Sequence, residues 1–336
     1  MEFDLLCLGE LLIDFVEQGE SQALTALYQA NAGGAPGNVA CTAQTFGLQT
    51  AFIGAVGKDA FGKLLIDALD SYDVDTRGVQ VLDDVMTTLA FVSLGDEGKR
   101  EFRFARKGSA DTQLSLNETH HALLDSTRAL HFGTLSFTDE PSRKATLEAI
   151  DRVKKQDGII SFDPNVRLNL WDDIDDLHDA YRDGMGHATI LKISDEDFAS
   201  LEGGLEPSSL NQTLRGIFDG PLQLLLLTLG QDGAKAYWHN GDTFMEAHAP
   251  TDLTKRPIDT TGAGDIFTGA FLSQLLARLG TKDRPTVELA HYLSNVNPQE
   301  MSDMIQFANE IASLSTEKLG GITSIPSREE WKKSYA

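Results

Sequence analysis

Seven residues, Asp259-Thr260-Thr261-Gly262-Ala263-Gly264-Asp265, open a helical pattern that continues through Ile266, Phe267, Phe271, Leu275 and Leu279. Glycines at the mouth of a helix leave backbone N–H groups free to face an anion, and the helix dipole adds positive potential at that end. The residue types therefore suit a phosphate cradle. It is not a Walker A loop, because Gly-Lys-Ser/Thr occurs nowhere in the chain, and it is not a Rossmann fingerprint, because Phe267 stands where the third glycine belongs. Asp265 falls in the first helical turn beside those amides, where an ionised carboxylate can take the proton of a hydroxyl aligned with a phosphate. Taken alone, the stretch is equally consistent with a helix-start charge behind a glycine turn.

Such a cradle must sit at the end of some scaffold. Short apolar runs that read as buried strands, Leu5–Leu8, Phe52–Val56, Ala129–Phe132, Ile159–Phe162, Ile190–Ile193 and Leu222–Leu229, alternate with helical spacing over Gly37–Phe46, Phe61–Leu69, Ser142–Lys155 and Leu210–Phe218. The alternation predicts an α/β fold, a doubly wound, mostly parallel sheet flanked by helices, whose ligands collect at the carboxyl ends of the strands. A different pattern interrupts it. Thr88–Leu94 and Arg100–Arg106, joined by Gly95-Asp96-Glu97-Gly98, read as a β-hairpin. In its second arm Phe102 and Phe104 alternate with Glu101 and Arg103, which gives one aromatic and one charged face. With Ile13–Val16 and the stretch near Tyr28 the hairpin predicts a small β-sheet lid over residues 13–31 and 87–109, on a core of residues 1–12, 32–86 and 110–336. An edge extension of the main sheet is the alternative.

Composition narrows the function classes. The 336 residues carry 51 acidic against 28 basic side chains, a formal charge of −23 that repels nucleic acid and anionic membranes. The longest apolar run is far short of the roughly 20 residues that span a bilayer, and Glu2 and Asp4 stand where a signal peptide needs basic residues. A soluble, cytoplasmic protein is expected. Cys7 and Cys41 lack metal or redox spacing and read as packed thiols, and the scattered histidines suggest no zinc site.

The run from Asp259 to Asp265, followed by Ile266-Phe267, closely resembles the C-terminal signature of the ribokinase-like (PfkB) carbohydrate kinases. Gly33-Gly34-Ala35-Pro36-Gly37-Asn38-Val39-Ala40 resembles that family's N-terminal sugar-binding motif, at the family's distance from the first strand. The resemblance extends from Leu5 to about Pro326. It implies a ribokinase-like fold and ATP-dependent phosphorylation of a sugar, with Gly262, Ala263 and Gly264 as anion hole and Asp265 as base. Asp14 and Asn38 would hold sugar hydroxyls, with Gly33 and Gly34 admitting the sugar close to the backbone. Read without the resemblance, Asp14 is an exposed turn carboxylate and Asn38 a polar residue at a helix start. Thr228-Leu229-Gly230-Gln231-Asp232-Gly233 is similar to the family's nucleotide loop, which would bring Thr228, Gly230 and Gly233 to ATP, although a plain strand-to-strand turn fits the same residues. Phe307-Ala308-Asn309 and Gly320-Gly321-Ile322 also resemble the family and would set Asn309 beside the adenine. Asp259 and Thr261 match positions that bind a monovalent cation such as K⁺ in some relatives. Where the family often carries Asn-x-x-Glu to position Mg²⁺, this chain has Ser194-Asp195-Glu196-Asp197. Asp197 is a carbon shorter than Glu but still offers oxygen to a hard cation, while a solvated acidic helix start is the alternative.

Asp163-Pro164-Asn165-Val166-Arg167, Leu170-Trp171 and Leu130-His131-Phe132-Gly133-Thr134-Leu135-Ser136 resemble the fructokinase branch. The branch that phosphorylates 2-keto-3-deoxygluconate shares an Asp-x-Asn-x-Arg segment, in which an arginine can pair with a carboxylate. Phe104 and Arg106 at the end of the lid hairpin, with Arg167, complete the expected substrate side. The two arginines remain open between ATP phosphates, a sugar acid and solvent. Lys192, late in a predicted strand, is expected near the nucleotide phosphates. Fructose is the expected acceptor and 2-keto-3-deoxygluconate the alternative. A catalytically silent binder on the same fold and a nucleoside kinase are the remaining readings. A homodimer through the lid is expected, because exposed sheet edges pair readily.

Overall fold

Along β1 (Leu5–Leu8), Leu5 and Cys7 pack into one apolar cluster and Leu6 and Leu8 into another, and all four are fully buried. A strand apolar on both sides has to lie between two helical layers. The computed structural model, which describes residues 1–17, 26–94, 100–203, 207–241, 243–280 and 287–335, builds this arrangement outward from β1. On one side stand β4 (Thr50–Gly57) and β5 (Asp75–Leu82). On the other stand β8 (Ala129–Gly133), β9 (Ile159–Asp163), β10 (Ile190–Ser194) and β11 (Leu224–Thr228), all parallel. The sheet reaches nine strands with an antiparallel pair at one edge, β12 (Ala234–Asn240) and β13 (Thr243–Ala249).

One face of the sheet is covered by α1 (Ala35–Thr45), α2 (Ala60–Asp70), α8 (Ala263–Arg278), α9 (Leu289–Leu293) and α10 (Pro298–Ser315), with α11 (Arg328–Tyr335) anchored there through Trp331 on Phe307. The other face is covered by α3 (Glu118–Asp125), α4 (Ser142–Lys154), α5 (Ile174–Met185), α6 (Asp195–Glu202) and α7 (Pro207–Ile217). The chain leaves β1 in one direction and returns on its other side at β8, so the sheet has its switch point there and the strand ends converge around that crevice.

The predicted strands and helices fall on elements of the structure with boundaries shifted by a few residues. Sequence periodicity did not disclose β5, β12, β13 or the long α10. β5, at a sheet edge, buries only Gly78 among partly or fully exposed positions, and β12 and β13 carry Lys235, His239 and His248, whose polarity masks the strands.

A second sheet of four strands stands apart, in the order β3 (Tyr28–Gly33), β2 (Leu12–Glu17), β6 (Thr88–Leu94), β7 (Arg100–Ala105). It is separate from the main sheet, so the edge-extension alternative does not hold. The connecting residues Gly95 to Gly98 lie outside the described residues, as does the side chain of Phe102.

Candidate active site

α8 begins at Ala263, its first turn carries Asp265, and Gly262 occupies the capping position with φ +75°. A side chain at Gly262 would meet Asn38 Nδ2 at 3.0 Å and the Gly321 Cα at 3.2 Å, so only glycine lets the three segments close on one another. α1 delivers Asn38 from the other side, buried to 4 % exposure, and its Nδ2 donates to Asp265 Oδ2 at 2.8 Å. Two motifs 227 residues apart are thus joined by one hydrogen bond at the candidate base. The second carbonyl-side atom, Asn38 Oδ1, is buried and lacks a partner.

The carboxyl ends of β9 and β10 supply charge behind this junction. Lys192 Nζ pairs with Asp163 Oδ2 at 3.0 Å, and both side chains are almost fully buried. The ammonium group lies against the backbone of the glycine turn, since a side chain at Gly264 would meet Lys192 Nζ at 2.8 Å. Asp197 in the first turn of α6, capped by Ser194, and the half-buried Arg167 complete the set of charges around Asp265. Desolvation first, and the like charge of Asp163 second, push the Asp265 carboxyl above the usual carboxylate range, against the Asn38 hydrogen bond, Lys192 and Arg167. The same two causes raise Asp197. Burial works against the charge of Lys192, but Asp163 and Asp265 overcome it and hold its ammonium above the ordinary lysine value. Asp197 and its neighbouring carboxylates offer oxygens of the kind a hard divalent cation takes. Among the described residues no group of three or more His, Cys, Asp or Glu side chains is placed to hold a metal ion.

The loop before α8 is fastened from below. Asp259, 3 % exposed, accepts from the Thr261 N–H at 2.7 Å and the Gly320 N–H at 2.9 Å, which ties the anion-hole turn to the Gly320-Gly321 segment. The predicted nucleotide loop does connect two antiparallel strands, β11 and β12, through Gly230 (φ +54°) and Gly233 (φ +90°). Thr228 closes β11 opposite Ser194 of β10. Asn309, 5 % exposed, donates to the Ala249 carbonyl at 2.9 Å and the Pro250 carbonyl at 3.2 Å, and so staples α10 to the chain that packs against Gly233.

On the small sheet, Asp14 is 7 % exposed and lies against Gly33, while Gly34 adopts φ +113° with its Cα against the Glu10 backbone. The exposed-turn alternative for Asp14 therefore does not hold. Phe104 is half-buried on β7. Arg106 is turned inward. Its Nε donates to Asp111 at 2.7 Å, Nη1 to Thr138 Oγ1 at 2.5 Å and Nη2 to the Leu135 carbonyl at 2.7 Å, at 6 % exposure, which excludes the solvated reading. Arg167 Nη1 donates to the neighbouring Val166 carbonyl at 2.9 Å.

Three residues at the site escaped sequence reasoning as functional candidates. Asp163 stood in a segment read only as a branch marker, although its place at a strand end was the available signal. Glu10 takes the Ala35 N–H at 3.0 Å and is pushed up to about 7, mainly by burial, where the sheet joins α1. Asn31 is buried at 3 % exposure beside Gly320, and nothing in its neighbours' types announced it.

Comparison with known proteins agrees with this geometry. The model of the pfkB family of carbohydrate kinases matches residues 2–328. The chain is 35 % identical over 328 residues to "Probable fructokinase-6, chloroplastic" of Arabidopsis thaliana, covering 97 % of this chain and 80 % of the relative. A fructokinase of Xylella fastidiosa solved with bound ATP superposes with a TM-score of 0.86 at 27 % identity, covering 98 % of this chain and 97 % of that one. A fructokinase of Vibrio cholerae O395, solved in a fructose-, ADP- and calcium-bound form, superposes with a TM-score of 0.79 at 27 % identity and covers 99 % of both chains.

Proposed function

The chain belongs to the pfkB family of carbohydrate kinases, and on that footing we propose that it transfers the γ-phosphoryl group of ATP to the primary 6-hydroxyl of D-fructose, giving D-fructose 6-phosphate and ADP. The observation that carries the reading is the Asn38–Asp265 hydrogen bond, which sets a carboxylate base at the mouth of a glycine-rich helix start and beside a buried amide oxygen that lacks a donor. A sugar hydroxyl supplies such a donor.

In this reading Asp265 accepts the proton of the attacking hydroxyl while Asn38 fixes the carboxylate and takes a second hydroxyl at Oδ1. The N–H groups of Gly262, Ala263 and Gly264 face the transferring phosphoryl group, and Lys192 behind Gly264 adds positive charge to the oxyanions. Asp14, with the backbone at Gly33 and Gly34 and the ring of Phe104, holds the rest of the sugar. Thr228, Gly230 and Gly233 line the nucleotide, with Asn309 shaping the adenine end through the strand it staples. Mg²⁺ is the cofactor we assign. It would be held by Asp197 and phosphate oxygens, with Asp163 adjacent, and when bound it neutralises phosphate charge. A monovalent cation is assigned to Asp259 and Thr261, beside the anion hole. Residues 13–31 and 87–109 act as a lid that excludes water from the phosphoryl group, over a core of residues 1–12, 32–86 and 110–336. Homodimerisation through the lid is part of the same reading, supported by the exposure of Phe91 (38 %) and Tyr28 (42 %) around Phe15.

The alternative acceptor, a sugar acid, needs a free guanidinium, and Arg106 has three donor atoms committed to Asp111, Thr138 and Leu135. That removes Arg106 as a carboxylate partner, and with Arg167 assigned to phosphate the neutral ketose is the acceptor we propose. Among the described residues no helix is long and apolar enough to cross a membrane. We assign the cytoplasm, where ATP is renewed and the buried thiols of Cys7 and Cys41 stay reduced.

The test is ADP release with ATP and Mg²⁺ and, separately, fructose, 2-keto-3-deoxygluconate, ribose and adenosine. Turnover on fructose in large excess over the others supports the assignment. Turnover confined to the keto acid reassigns the acceptor, and none with any of them points to a silent binder.

A further inference from the structure

The four-stranded sheet presents one transverse row toward the sugar side. In register, Asn31 of β3 stands opposite Asp14 of β2, Asp14 opposite Ala90 of β6, and Ala90 opposite Phe104 of β7. Cross-strand partners share a face of a sheet, so Asn31 shares the face of Asp14 and Phe104. It is also two residues before Gly33 on β3, and hence on the same face as the glycine that packs against Asp14. At its other side a side chain on Gly320 would meet Asn31 at 3.4 Å, and Gly320 donates its N–H to Asp259.

Asn31 is 3 % exposed, and its Nδ2 is buried without a hydrogen-bond partner. Its Oδ1 accepts from Gln29 Nε2 at 2.9 Å, which turns the amide so that the NH₂ group points away from Gln29. Leaving a buried amide donor unmet costs about 1–3 kcal/mol. An acceptor atom brought by a ligand removes that cost.

We propose that Asn31 is a specificity-determining residue that, together with Asp14, reads one hydroxyl of the sugar. The inference rests on the fructose reading above. A hydroxyl can donate to the Asp14 carboxylate and accept from Asn31 Nδ2 at the same time. A carboxylate satisfies Asn31 but is repelled by Asp14, and a deoxy carbon satisfies neither, so the pair selects a neutral, fully hydroxylated ligand. The row places this contact on the small sheet, and the Asp265 carboxylate takes its hydrogen bond from Asn38 and not from Asn31, so the contact serves sugar binding rather than proton transfer.

The experiment measures kcat and KM of the wild type, Asn31→Ala and Asn31→Ser with fructose and with a series of monodeoxyfructoses that keep the 6-hydroxyl. Thermal melting of each variant without ligand reports its folding. The expected result is a KM for fructose raised about 10- to 100-fold in Asn31→Ala with kcat changed less than threefold. For the one analogue lacking the contacted hydroxyl, wild type and variant have equal KM, because the contact is already gone. Asn31→Ser, which keeps a donor, recovers part of the affinity. A KM unchanged on fructose, or raised by one common factor for every analogue, overturns the inference while leaving the fructose reading standing. A wild type that neither turns over nor binds fructose overturns both.

Discussion

At the scale of single residues, Asp265 lies buried among other charged groups. Burial and Asp163 raise its pKa, and Asn38, Lys192 and Arg167 pull it back. A base with a raised pKa is protonated, and inactive, as pH falls through the raised value. Removing Lys192 removes an opposing charge, so Lys192→Met should move the acid limb of the kcat/KM profile to higher pH and lower kcat. A pH titration of both proteins checks the direction, and an unmoved or downshifted limb contradicts it. Glu10 offers a second pH-dependent effect. Its carboxyl, pushed up from 4.5 to about 7 mainly by burial, favours the protonated folded state, so its stabilising contribution is present below 4.5 and lost as pH rises through about 7. Glu10→Gln, neutral at every pH, should therefore gain melting temperature over wild type progressively between pH 5 and 8, by a difference equivalent to roughly 3 kcal/mol. A constant difference across that range would remove Glu10 as the cause.

At the scale of elements, glycine geometry and strand ends position the chemistry. Gly262 holds φ +75° in contact range of Asn38 and Gly321. Gly262→Ala should cost about 1–2 kcal/mol of stability from the left-handed backbone alone, with a kcat loss of tenfold or more, because Asn38 and the anion-hole amides shift together. Thermal melting with steady-state kinetics tests both parts. The same geometry explains what could be read from sequence. The cradle and Asp265 were legible as a glycine-rich helix start with an acidic first turn, whereas Asn38 was legible only through the resemblance of its motif to the family's N-terminal one. The strands β1 and β8 to β11 were legible because burial on both faces leaves mostly apolar runs, interrupted only singly by His131, Ser161 and Lys192. Asp163 and Asn31 were not, because their meaning lies in a partner distant in sequence: Lys192 is 29 residues beyond Asp163, and the Asn31 amide is defined by a register opposite Asp14. Arg106 carried a charge that suggested a ligand, and only the packing of the lid root against Asp111 and Thr138 reveals where its donors end.

At the scale of the whole molecule, the small sheet carries both the proposed sugar contacts and the proposed dimer contact. Its polar row holds Asp14, while its opposite face stacks Phe15 on Phe91 at 5.3 Å and meets Phe61 of α2. Phe91 and Tyr28 remain open enough on that face to meet another lid. Light scattering should give a mass near twice 36.6 kDa, and Phe91→Glu should halve it; a wild-type monomer would refute lid dimerisation. The net charge of −23 works against such association at low ionic strength, so the dimer should strengthen as salt screens it. The central claim, that Asp265 drives phosphoryl transfer from ATP to fructose, is tested most directly by fructose-dependent ADP release in wild type and Asp265→Asn side by side. The account predicts robust wild-type turnover that falls roughly 10²- to 10⁴-fold in the variant, the usual contribution of a general base, with fructose 6-phosphate as product. Equal turnover in the two proteins, or fructose-independent ADP release in both, would contradict it.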